Sequence, residues 1–182
     1  MIAALFLVIQ LLGQSESQTI ICDGDFPNAT EVMLKLPRTY RLQSAFNVST
    51  LDCAVQLFYN ETYDTETYRK YNLVYVYTTG KYQDQPFYVK GVVNYTIFLG
   101  YWPDEYFPPE KKEEVVYSDK ESCMVTKNPN THFPNNACSL LVTKETFYNP
   151  NKKCTEAFTR HCGNDAYNYT SIHHCINRND YN

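Results

Sequence analysis

KYNLVYVYTTGKYQDQPFYVKGVVNYTIFL, residues 70–99, runs through Tyr, Val and Phe with a period of two and breaks at short turn signals. Residues 70–79, 86–93 and 95–99 read as strands. Thr79-Gly80-Lys81 and Gly100 are the turns that separate them, because Gly and small polar residues relax the backbone where direction must reverse. The stretch is short-stranded β-structure, with no helical period in it.

The same period continues on both sides. From Thr39, the residues Arg41, Gln43, Ala45 and Asn47 alternate with Leu42, Ser44, Phe46 and Val48. Cys53, Val55, Leu57 and Tyr59 then alternate with Ala54, Gln56, Phe58 and Asn60. Residues 101–112, with Pro103, Pro108 and Pro109, read as a loop, and three more strands follow at 113–119, 122–127 and 137–144. Two helices are expected. A short one covers 29–36, stopped by Pro37; the other covers 151–161, bounded by Pro150 and Gly163, with Cys154, Ala157, Phe158 and Cys162 at helical spacing. Roughly eight short strands followed by one helix fit an eight-stranded antiparallel barrel, which closes its own edges around room for one small ligand. A β-sandwich satisfies the same pattern.

Residues 2–12, IAALFLVIQLL, are apolar apart from Gln10 and too short to span a bilayer. With Ser15 and Ser17 ahead of a cleavage point, residues 1–17 read as a signal peptide and 18–182 as one secreted domain. Five sequons agree with export: Asn28, Asn47, Asn60, Asn94 and Asn168 each begin Asn-x-Ser/Thr. Glycans must face water, so Asn47 and Asn60 predict an outer face and put Leu42, Phe46, Val55 and Leu57 inside. By the same reasoning at Asn94, the residues Val93, Tyr95, Ile97 and Leu99 are expected inside.

The formal charge of −4 becomes −3 when Glu16 leaves with the leader. That balance offers no electrostatic case for nucleic acid or an anionic membrane. Tyr is abundant, at 17 residues, and suits both strands and amphipathic pockets. Seven cysteines in an exported chain point to disulfides, five of them in the last third.

The ordered set Tyr117-Ser118-Asp119, Cys123-Met124-Val125, Cys138-Ser139-Leu140-Leu141-Val142, Cys154 with Phe158, Cys162-Gly163 and Cys175 resembles the tick salivary lipocalins, the superfamily of the histamine-binding proteins, which includes a lipid-binding, immunomodulatory japanin-like branch. The likeness covers most of the mature chain and is strongest from Glu114 onward. It implies an all-β lipocalin barrel with a C-terminal helix on its wall. It also implies disulfides Cys53–Cys175, Cys123–Cys154 and Cys138–Cys162, leaving Cys22 odd. The first would close a loop worth on the order of 4–5 kcal/mol on chain-entropy grounds. Members capture histamine, serotonin, eicosanoids or sterol-like lipids, and some engage complement or immune cells. The resemblance therefore implies a small ligand, with a host immune protein or cell as a further partner, and neither a cofactor nor catalysis. A monomer is expected.

Amine-binding members keep an Asp, a Glu and an aromatic residue at positions that here hold Met124, Ser139 and Leu141. A buried ammonium needs carboxylates and an aromatic face to offset its lost hydration. Without them an amine loses several kcal/mol, so an apolar ligand with one or two polar ends is expected: a sterol, fatty acid or eicosanoid. The expected wall is Leu42, Phe46, Leu57, Tyr75, Phe87, Tyr95, Ile97, Met124 and Leu141, although inward apolar residues of a small barrel also fill it by packing alone. Amine scavenging remains the alternative reading. Binding of a host protein through the Tyr-rich loop at 101–109 is another.

His161 beside Cys162 and His173-His174-Cys175 match no zinc spacing, so surface histidines are expected and no metal. The acidic run at 110–114 reads as a solvated loop. No nucleophile elbow or paired-carboxylate setting stands out.

Overall fold

A computed structural model describes residues 21–129 and 137–176; the apolar leader lies outside the described residues. In chain order the elements are helix α1 (Ala29–Lys35), strands β1 (Arg38–Ser44), β2 (Leu51–Tyr63), β3 (Glu66–Tyr77), β4 (Tyr82–Val93), β5 (Thr96–Gly100), β6 (Lys111–Ser118), β7 (Cys123–Lys127) and β8 (Cys138–Val142), helix α2 (Lys152–Cys162), strand β9 (Tyr167–Asn168) and helix α3 (His173–Ile176). Three strands cover the stretch at 70–99 as expected, though the first two begin four residues earlier, at Glu66 and Tyr82, and both main helices stand within a residue of their expected bounds. Among the described residues no helix is long and apolar enough to cross a membrane.

Each strand from β2 to β8 pairs antiparallel with the next, β8 pairs with β1, and β1 pairs with β2. The result is a closed eight-stranded barrel rather than a sandwich. β1 meets β2 only from Arg38↔Leu57 to Tyr40↔Val55. Beyond that point β9 takes over its free edge through Gln43↔Asn168 and Ser44↔Tyr167. Closure leaves no long unpaired edge to template aggregation.

The core lies in two layers. Inside the barrel, Tyr71, Phe87, Ile97, Leu99, Val115, Met124 and Leu141 pack over Val32, Met33 and Leu36 of α1, which plugs one end. Asn28 caps that helix by accepting from the Glu31 amide at 3.2 Å. Outside the wall, Val55, Leu57, Val74, Val125 and Leu140 pack beneath Ala157 and Phe158 of α2 and Cys175 of α3. Three disulfides pin this second layer: Cys53–Cys175, Cys123–Cys154 and Cys138–Cys162. These are the pairs the resemblance implies, and Cys22 is unpaired.

The facing inferred from the glycan positions is reversed for β1 and β2. Leu57 and Val55 lie on the outer layer, and Leu42 packs against the same cluster. Gln56 and Arg41 are the residues that point inward. Asn60 misleads because β2 outruns the barrel: it shares the parity of Gln56 but sits past the plugged end, exposed. Asn47 lies in the loop after β1 and reports no strand face. Near Asn94, Ile97 and Leu99 do face inward. Val93 is exposed, and Tyr95 sits at the β4–β5 turn with its ring 5.0 Å from that of Phe26.

A strap before α1 ties the helix layer to the barrel. The Phe26 amide donates to the Val116 carbonyl and the Ser118 amide to that of Gly24, both at 3.0 Å. Gly24 adopts φ +90°, and a Cβ there would lie 2.7 Å from the Tyr117 ring, so the position admits only glycine. The Asp25 carboxylate, its side chain 2% exposed, sits 2.5 Å from Arg160 and 2.8 Å from His161 on α2. His161 is thus an interior partner rather than a surface histidine, whereas His174 is exposed and 2.8 Å from Asp52.

Candidate functional site

Opposite the end plugged by α1, the barrel opens into a cavity of about 210 Å³. Ladder register decides its wall, since paired residues share a face. Tyr71↔Phe87, Leu99↔Lys111 and Arg41↔Leu141 are inward pairs, as is Thr126↔Ser139.

Of the nine residues expected to line the site, Tyr75, Phe87 and Leu141 do so. Met124 and Ile97 are fully buried beneath it and form its floor against α1. Gln56 stitches floor to wall: its amide donates to Met124 Sδ at 3.9 Å, and its carbonyl accepts from the Tyr71 hydroxyl at 2.9 Å. Leu42 and Leu57 belong to the outer layer. Phe46, 46% exposed, lies beyond the end of β1, and Tyr95 is at the opposite end. Ser139 and Leu141 share the interior face, as their parity predicts.

The sequence reading missed the charged lining. Lys111 and Glu113 alternate inward along β6, so Glu113 is not part of a solvated loop. Arg41 enters from β1. The signal was the alternation itself: Lys111, Glu113 and Val115 share one parity, and Arg41 sits where a wall residue belongs.

Burial pushes the Glu113 carboxyl up to about 7, against a hydrogen bond from Thr126 and the charges of Arg41 and Lys111, which hold it down. Burial likewise raises the Tyr71 hydroxyl well above the usual phenol range, with Glu113 adding to the effect. The Arg41 guanidinium carbon lies 5.4 Å from the centroid of Tyr75. In the wall, Lys111 Nζ lies 4.5 Å from the centroid of Phe87, and the Phe87 and Tyr101 rings meet at a tilt with centroids 5.1 Å apart. Aromatic walls with a few convergent polar groups are the chemistry of a site for a small amphipathic molecule.

A larger concavity, about 940 Å³, lies outside the barrel between the start of β3, the end of β4 and the loop at 103–106. Lys90 anchors that loop by donating to the Pro103 carbonyl at 3.1 Å and to that of Asp104. The groove is open and largely polar, so it encloses nothing.

No protein-family model matches the chain, and no curated protein does. Solved structures do. Japanin from Rhipicephalus appendiculatus, bound to cholesterol, aligns over 72% of this chain and 90% of its own, with a TM-score of 0.52 and 17% identity. The cockroach major allergen Per a 4 aligns over 87% of this chain and 96% of its own, with a TM-score of 0.56 and 10% identity. The chain has the lipocalin fold, of the kind found in the tick protein.

Proposed function

We propose that this protein is a secreted, glycosylated, monomeric lipocalin that holds a small hydrophobic or amphipathic ligand in its barrel and blunts host immune or inflammatory responses, without catalytic turnover. The observation that carries this reading is the cavity, open at one end and walled by Tyr71, Tyr75, Phe87 and Leu141. The cholesterol named with japanin supports a lipid-sized guest. At about 210 Å³, however, the space is below the roughly 300–1,000 Å³ that encloses a drug-sized molecule. A flexible chain can thread it, whereas a rigid sterol requires the wall to move. Glu113 among aromatic rings is the one feature that favours an amine, and two cations in the same cavity oppose it.

A protein partner is the second reading. Trp102 is 58% exposed, Tyr106 97% and Phe107 48%, all on one loop, and such aromatics are common interface anchors.

The test is native mass spectrometry of the protein from a secretory host, with uptake of a neutral naphthylamine dye by wild type and Leu141→Trp. A co-purified lipid of fixed mass, and dye uptake lost when the indole fills the cavity, are expected. An empty barrel whose dye uptake ignores Leu141→Trp would rule out carriage.

A further inference from the structure

We infer that Arg41 makes the barrel selective for a ligand ending in an anionic group such as a carboxylate, an inference that rests on the carrier reading above. Arg41 is always charged. Its Nε is sealed from solvent with no hydrogen-bond partner. Among the described residues it forms no salt bridge. The groups that interact with it most strongly are the phenols of Tyr75 on β3 and Tyr169 after β9, and neither is a carboxylate. A half-buried guanidinium whose Nε is sealed and that lacks an ion-pair partner is costly, and removal of that cost favours whatever supplies one.

Glu113 faces the same cavity from β6 but does not balance the charge. Its carboxyl is hydrogen-bonded with Thr126, and Lys111, two residues away on the same face, adds a second cation. With Glu113 ionised the cavity carries a net charge of one positive; with Glu113 protonated, two. An ammonium is repelled in either state. A neutral hydroxyl leaves Arg41 unsatisfied, and a carboxylate completes it through a planar, two-point contact. The aromatic and aliphatic wall then takes the chain behind that head.

The experiment compares three probes of equal chain length, laurate, lauryl alcohol and laurylamine, as competitors for the neutral dye at pH 7.5. Laurate is expected to displace it at a concentration roughly tenfold or more below the alcohol, the usual worth of a charge-assisted hydrogen bond. The amine should be weakest. Arg41→Met should bring acid and alcohol together, chiefly by weakening the acid, and Arg41→Lys should restore part of the gap. Equal displacement by acid and alcohol in the wild type overturns the inference without touching the carrier reading. A preference that survives Arg41→Met also overturns it, because the anion's partner is then another group. If none of the three displaces the dye, the carrier reading falls, and the inference with it. If Arg41→Met fails to fold, Arg41→Gln carries the same comparison, and an acid preference that persists in Arg41→Gln overturns the inference.

Discussion

Glu113 shows how one inward carboxyl couples the cavity to pH. Its value stands at about 7 against an ordinary 4.5. The folded state therefore holds its proton through a window in which the unfolded chain has lost it. Stability must fall as pH rises between those values, because the fold binds more protons there than the unfolded chain does. Glu113→Gln keeps a neutral side chain at every pH. It is expected to stabilise the protein at pH 8 by on the order of 1–3 kcal/mol and to change little at pH 4. Urea midpoints at the two pH values check this, and an equal gain at both would contradict it. Arg41 and Glu113 were each legible as strand residues. Their roles were not, because a charged residue inside an apolar wall looks, in sequence, like one facing water.

Helix α2 carries its own argument in the chain. The Asn151 side chain accepts from the Lys153 amide at 3.0 Å, Gly163 ends the helix, and Cys154, Ala157 and Phe158 form its buried stripe. Those signals are local, so the helix was readable from sequence to within a residue or two. Its partner was not, since any apolar surface would have served. The helix lies on β6, β7 and β8, and its two disulfides run to Cys123 on β7 and Cys138 on β8. Phe158, 1% exposed, fills the seam. Phe158→Ala should cost about 3–5 kcal/mol, read as a lowered denaturation midpoint. The disulfides should keep the helix tethered, so ligand uptake should survive below that midpoint. Detachment of α2 before the barrel unfolds would refute this coupling.

Across the whole molecule, both sides of the wall are covered over much of the barrel, one by the interior and the other by α2, α3 and the chain between them. The five sequon asparagines stand clear of both layers: Asn28, Asn47, Asn60, Asn94 and Asn168 are all exposed. Secretory expression is expected to yield a heavier, heterogeneous product that an N-glycosidase reduces to the mass of residues 18–182, with unchanged circular dichroism. A product already at that mass would remove the sequons from the case for export. The two ends of the barrel also differ in kind. Floor residues Met124 and Ile97 pack on α1 and leave no room for a guest, whereas buried Phe87 sits in the wall with Lys111 and Tyr101 against its ring.

By itself, the sequence determined the approximate positions of the main strands and helices, the turns and the all-β class. These rest on interactions within a few residues: period, capping and backbone freedom at Gly, Asn and Pro. Closure of the strands into a barrel rather than a sandwich is decided by the pairing of β1 with both β8 and β2. Which face of each strand looks into the cavity was decided only by the tertiary structure. Alternation reveals a face when one side meets water, and on β2 both Gln56 and its neighbours Val55 and Leu57 are buried. Irregular register between Arg41 and Gln43, and between Val115 and Tyr117, shifts parity within single strands. The alternation of Lys111, Glu113 and Val115 was present in the sequence, but which parity faces the cavity follows only from that register.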